Sequence, residues 1–156
     1  MSKDLSLERV AVLPITVIKF FINNRNLTPR VEGIEFKVNS SRVYLFLKNS
    51  KCVFCGLQGT HFAVERHLKK VPFNKQIVSV PDKDAGFHVN LYGIDKQGNE
   101  VLFTKDHIVA KANGGGDRLS NYQTMCTRCN QKKGALSMED FAKTKTTIKR
   151  IGVFEV

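Results

Sequence analysis

The stretch that decides the reading is DHIVAKANGGGDRLSNYQTMCTRCNQKKG, from Asp106 to Gly134. It opens on an adjacent acid and imidazole, Asp106 and His107, at the end of an expected strand. Neighbouring side chains on a strand point to opposite faces, so the pair suits two jobs. One side chain can hold an ion while the other meets an attacking water, provided a bend brings both to one cleft. Gly114, Gly115 and Gly116 then allow a tight turn or the close approach of a large ligand. Asn121 follows, able to hydrogen-bond either that loop or the second nitrogen of the histidine. Cys126 and Cys129 form a Cys-x-x-Cys pair, and the chain from Cys129 to Lys133 is expected to open a helix that stops near Gly134. Asn130, directly after the second cysteine, would be held in place by whatever the cysteines bind.

Two hard oxygen donors, Asp106 and Asn130, suit a magnesium-like ion. Such an ion offsets charge on a phosphoryl group undergoing displacement, and a neutral imidazole is the side chain best suited to take a proton from water near neutral pH. The combination points to phosphodiester hydrolysis.

Working outward, the chain holds four cysteines, and the other two, Cys52 and Cys55, form a second Cys-x-x-Cys pair. Two such turns complete the tetrahedral sulfur shell preferred by structural zinc. Disulfides and a redox dithiol compete with this reading, but nothing marks the chain as exported, and two matched pairs leave no cysteine over. Seventy residues separate the pairs, so the metal would be a long-range clamp rather than the centre of a self-contained finger. A four-sulfur shell has no open position for substrate, so chemistry would belong to a second ion.

The 156 residues carry 25 Lys and Arg against 14 Asp and Glu, a formal charge of +11. Four zinc-bound thiolates would lower this to about +9. A balance of this sign draws a protein to polyanions, nucleic acid first among them. Lys105, Lys111, Arg118, Arg128, Lys132 and Lys133 lie where they would meet phosphates around the decisive stretch. With 42% hydrophobic residues and eleven Phe the chain can build a core. No apolar run reaches membrane-spanning length and no secretory pattern is visible, which makes a cytoplasmic protein the expectation.

Residues 6–24, SLERVAVLPITVIKFFINN, read as one helix kinked at Pro14 or two short ones, with Ser6 as a cap, although their β-branched content also suits strands. A short strand is expected around Ile34, Phe36 and Val38, then a helix from Arg42 to Asn49 capped by Ser40 or Ser41. These fifty residues read as a separate layer or small subdomain. Gly56 to Lys83 is hard to read, and its His61 and His67 are weaker candidates for extra ligands than for surface histidines. From Gly86 the alternation of Phe87, Val89 and Leu91, the turn chemistry of Asp95 to Asn99, and Val101 to Phe103 predict a β-hairpin whose second arm runs into Asp106. Ser137 and Asp140 predict a capping box for a short helix through about Thr144. Lys143, Lys145, Lys149 and Arg150 then make a basic tail.

Taken together, the two cysteine pairs, Asp106-His107, the glycine triplet, Asn121 and Lys133 resemble the HNH endonucleases, in particular their cysteine-bearing branch. The resemblance covers residues 101–134 and the first cysteine pair. It implies an α+β fold with a ββα-metal (His-Me finger) core, two strands and a helix around one catalytic ion, stapled by the four-cysteine zinc site. It implies His107 as general base, Asp106 as a catalytic metal ligand, and Asn121 as the residue that steadies the histidine loop. Many members carry a final His where this chain has Asn130, while a junction-resolving phage branch places an Asn ligand there. The departure bears on the preferred ion: Mg2+, or another such as Mn2+ or Ni2+.

The expected organisation is an N-terminal, mostly helical extension over 1–50, a zinc-stapled nuclease domain over 51–145, and a basic tail over 146–156. The expected substrate is DNA, branched or site-specific duplex, with RNA left open. Homing, restriction and phage DNA processing all suit a chain of this size, and a homodimer would explain double-strand cleavage by a one-site chain. The competing reading is a non-catalytic zinc-containing nucleic-acid-binding module on the same scaffold. Such a module has no need for Asp106, Asn130 and His107 together.

Overall fold

The computed structural model describes residues 7–150, with side chains as far as Thr144. The chain opens on a strand, β1 (Leu7–Pro14), followed by helix α1 (Ile15–Asn23). Thus the expected kinked helix is corrected for its first half, and Ser6 lies outside the described residues. The reason is tertiary: β1 pairs antiparallel with β4 (Gly59–Phe73), from Leu7 opposite His67 to Pro14 opposite His61. Pro14 ends the strand because it has no N–H to continue the ladder, and its fixed φ of −61° starts α1 instead.

Next come β2 (Arg30–Val31), β3 (Ile34–Lys37) and α2 (Ser41–Lys48), close to the expected strand and helix. Ser40 caps α2 by accepting a hydrogen bond from the Val43 amide. In the unread region, β4 turns at Asn74 and Lys75 into β5 (Gln76–Pro81). Both turn residues have positive φ, 47° and 63°, the backbone of a two-residue hairpin that matches strand twist. The predicted hairpin is β6 (Phe87–Ile94) with β7 (Glu100–His107). Asp95 Oδ1 accepts from the amides of Gln97 and Asn99 and closes its turn.

The sheet order is β1-β4-β6-β3-β2, and β7 branches from β6 to carry β8 (Tyr122–Cys126). The fork lies in β6. Its start pairs in parallel with β3, at Phe87 and His88, and its end pairs with β7, at Tyr92 to Ile94. Arg42 of α2 reaches into the gap and donates to the Val89 carbonyl, 3.0 Å away. Two short helices complete the fold, α3 (Thr127–Lys133) and α4 (Met138–Arg150). α3 stops at Gly134 as expected. α4 runs past the expected end at Thr144, and only the Ser137 half of the capping box forms, with Ser137 Oγ accepting from the Asp140 amide.

One face of the sheet meets α1 and α2 in a core of Ile18, Phe36, Val43, Phe46, Phe62, Val64, Val89, Leu91, Val101 and Phe103. β1 and β3 belong to the same sheet as β4 and β6, so residues 7–50 are neither a separate layer nor mostly helical. The other face of β1, β4 and β6 is polar. There Glu65, 3% exposed, accepts from Asn90, Tyr92 and Arg9, and Arg9 also pairs with Glu100.

Candidate active site and metal centre

The two cysteine pairs meet because β8 carries the first knuckle against its backbone. The Val53 amide donates to the Thr124 carbonyl, and Thr124 Oγ1 donates to the Asn49 carbonyl just before the knuckle. Phe54 stacks on Phe141 of α4, which packs the knuckle from the other side. The sulfurs of Cys52, Cys55, Cys126 and Cys129 lie within 4.8 Å of one another. A tetrahedron with metal–sulfur bonds of about 2.3 Å sets its sulfurs about 3.8 Å apart, and Cys55 and Cys126 are 3.8 Å apart. The set therefore fits a structural zinc ion. Hydrogen bonds with Cys126 and Cys129 draw the Cys52 thiol down, while those with Cys126 and Cys52 push the Cys129 thiol up. A metal ion held by the four sulfurs would bind them as thiolates.

β7, β8 and α3 form the strand–strand–helix unit around the decisive stretch. β7 and β8 are antiparallel, with Asp106 opposite Gln123 and His107 opposite Tyr122. Asp106 is 8% exposed and faces α3, where its Oδ2 accepts from Gln123 at 2.9 Å and lies 3.3 Å from Lys133 Nζ. Both contacts fall on Oδ2. Asn130 lies three residues before Lys133 on α3, hence on the same helix face, the one turned to β7. Hard oxygen donors on facing elements suit a divalent ion of the magnesium type.

His107 points the other way. Its ring packs edge-on against Tyr122, and its Nε2 lies 2.9 Å from Asp117 Oδ1. The hydrogen bond from His107, and then that from Lys111, hold the Asp117 carboxyl down at about 2. An ionised carboxylate only accepts, so His107 donates through Nε2, and in the neutral ring Nδ1 carries the free lone pair. Asp117 was not singled out from the sequence. The one available signal was an acid directly after the glycine triplet.

Asn121 bonds the loop rather than the imidazole. Its Oδ1 accepts from the Val109 amide, and its Nδ2 donates to the carbonyls of Val109 and Gly116. Of the glycines, Gly114 takes a left-handed φ of 87°, and Gly115 is the one with no room for a side chain. A Cβ there would sit 1.7 Å from the Val109 carbonyl oxygen.

The expected phosphate-binding cations divide. Lys133 is 1% exposed, its ammonium held between Asp106 and the His107 carbonyl rather than on the surface. Lys105 lies 4.0 Å from the centre of the Tyr122 ring and donates to Ser41. Arg128 pairs with Asp95 at 2.7 Å, and Lys111 pairs with Asp117 at 3.0 Å. Arg118 and Lys132 are exposed. His61 and His67 lie on the polar face of β4 and are no part of the sulfur cluster. His61 pairs with Glu100, and His67 stacks on His88.

A family model described as HNH endonuclease matches residues 95–146. That segment spans the β6–β7 turn, the strand–strand–helix unit and most of α4, so the class assigned to it by the comparison agrees with the resemblance carried by Asp106-His107, Asn121 and the cysteines. Within this family segment and the first knuckle, four cysteines are positioned to bind a metal ion. No curated protein and no solved structure matches the chain significantly. No described helix is long and apolar enough to cross a membrane.

Proposed function

We propose that the protein is a metal-dependent endonuclease that hydrolyses DNA phosphodiester bonds, with His107 as general base. The observation that carries this is the His107–Asp117 pair, one residue along β7 from Asp106, in the segment matched by the HNH endonuclease model. The Asp106 carboxylate and the Asn130 side-chain oxygen would hold one catalytic divalent ion, Mg2+ or a substitute such as Mn2+ or Ni2+. When bound, that ion supplies charge stabilisation at the phosphoryl oxygens and the departing oxygen. His107 takes the proton of the attacking water at Nδ1, while Asp117 holds the Nε2–H and balances the imidazolium that forms. Tyr122 fixes the ring plane, and Lys133 holds the Asp106 carboxylate from the side away from substrate. Arg118 and Lys132, with Lys105, Lys111 and Arg128, supply the positive surface on which a phosphate backbone would lie. The four-cysteine zinc site is structural in this reading, and the protein acts on DNA in the cytoplasm as a monomer or homodimer.

The Lys133–Asp106 pair is the observation that favours the competing reading, a zinc-containing binding module, because an ammonium already neutralises the acid. Incubating supercoiled plasmid, synthetic junctions and RNA with Mg2+, Mn2+ or Ni2+ tests the two. Cleavage by the wild type that is lost in His107→Ala, with nucleic-acid binding retained, is the expected result. Binding without cleavage under every ion would favour the module.

A further inference from the structure

β4 continues well past the sheet. Its residues Gly59 to Glu65 pair with β6, but Leu68 to Phe73 pair only with β5, so the hairpin from Leu68 to Pro81 stands out as a two-stranded ribbon. It holds three lysines, Lys69, Lys70 and Lys75, and no acid. At its end sit Phe73 and Ile77, 63% and 68% exposed, the two most exposed large apolar side chains among the described residues. The last turn places Lys75 in the left-handed region, where glycine is the residue that fits without strain, so a cation sits at the tip despite the backbone.

The register shows where the ribbon points. His61 lies opposite Tyr92, and Tyr92 opposite Leu102, so β4 and β7 run in the same direction two strands apart. Beyond Leu102, β7 leaves β6 to pair with β8 and ends at His107. Along β4, Phe73 lies eight residues past Glu65, the last residue to pair with β6, about 26 Å at the usual rise of a strand. The ribbon therefore projects from the end of the sheet that carries His107 and Asp117.

We propose that the β4–β5 ribbon is a DNA-binding arm: Lys69, Lys70 and Lys75 contact phosphates of the duplex beside the cleavage site, and Phe73 at its tip wedges against a base step. The inference rests on the nuclease reading for its choice of polyanion. Exposed apolar residues ringed by cations and aimed along a bound duplex are the combination that lets a protein hold and locally unstack DNA. A second copy of the chain suits the ribbon less, because lysines along a free strand repel a like-charged partner and guard the edge.

The test is fluorescence anisotropy on a duplex carrying 2-aminopurine, without added magnesium, for wild type, K69Q/K70Q/K75Q, F73A and K75G. The triple variant should bind about tenfold or more weakly, and its plot of log affinity against log salt should be shallower by about 2 to 3. F73A should lose the rise in 2-aminopurine fluorescence seen with wild type while keeping the salt slope. K75G should melt no lower than wild type yet bind more weakly, which separates the cation from the fold. Wild-type affinity and slope in the triple variant would overturn the arm, as would absence of duplex binding by wild type. So would sedimentation as a dimer that the arm substitutions dissolve. Plasmid cleavage with magnesium, read on the same preparations, reports separately on the nuclease. Cleavage without arm-dependent binding removes the arm alone, and arm-dependent binding without cleavage supports the arm and removes the nuclease.

Discussion

Asp117 and His107 lie ten residues apart and meet because Asn121 folds the intervening loop back on itself. The pair implies a role for Asp117 as a positioning residue: it selects the imidazole tautomer whose Nδ1 can accept a proton. Asp117→Asn should lower the cleavage rate by about 10²-fold or more, the scale of misplacing a general base. Its dependence on metal concentration should stay as in wild type, while the acidic limb of the pH–rate profile moves, and Asp117→Glu should restore part of the rate. A merely structural role would move melting temperature and leave the profile alone. Asn130 makes a second prediction. If its oxygen serves the ion, Asn130→Ala should lose orders of magnitude in rate and require more magnesium, whereas Asn130→His should keep partial activity with a preference moved toward nickel or manganese. A near-normal rate with unchanged magnesium dependence in folded Asn130→Ala would remove the residue from the ion and leave it an ordinary position inside α3. Lys133 shows how far burial can change a reading. By residue type it belongs with the phosphate-binding cations, but on α3 it is buried against Asp106.

At the scale of elements, the loop between β7 and β8 depends on the three bonds of Asn121 and on the closeness of Gly115 to Val109. Asn121→Ala should cost about 1–3 kcal/mol locally, since it leaves backbone groups of the loop unpaired. Faster hydrogen exchange at the Val109 amide, measured beside an unchanged core, would show that. Gly115→Ala should disturb the same loop without removing a hydrogen-bonding group, so cleavage should fall even if the melting temperature barely moves. The elements also show why part of the fold was legible. The β6–β7 hairpin declared itself by alternation and by Asp95, whose turn is local. α2 declared itself through Ser40 and α3 through Gly134, both local signals. β1 did not, because VAVLPITVIKFF is apolar at either period, and only pairing with β4 selects a strand for its first half. β4 and β5 were unread because Asn74-Lys75 is not the Asn-Gly turn that marks such a hairpin.

For the molecule as a whole, the four-cysteine site joins the chain between α2 and β4 to the junction of β8 and α3, and a zinc ion held there would clamp the two together. Stripping the metal, or Cys126→Ser, should lower the melting temperature markedly and abolish cleavage with it, while restoring zinc to the stripped wild type should recover both. Metal analysis showing less than one zinc per chain in active protein would contradict this. A second global effect is electrostatic. Glu100 titrates below its ordinary value, chiefly through the hydrogen bonds from Arg9 and then His61. A carboxylate lowered in the folded state contributes stability that is present above its unfolded value and is lost as pH falls through the folded one. Wild type should therefore lose stability below about pH 4.5, and Glu100→Gln should lose less over that same interval. Parallel melting curves of the two proteins from pH 6 to pH 3 would sink the assignment.

From the sequence alone came the chemistry: two cysteine pairs, an Asp-His step, a glycine triplet and the asparagines. Each of these is a matter of residue type and short spacing, and short spacing constrains what a turn or strand end can present. The tertiary structure decided which of those groups face one another. It brought the cysteine pairs together across seventy residues, gave His107 an acid partner, buried Lys133, and placed β1 and β3 within the common sheet. These outcomes depend on pairing and burial between distant segments, where a strand's partner and a side chain's neighbours are selected by the whole chain's packing and not by the residues beside them.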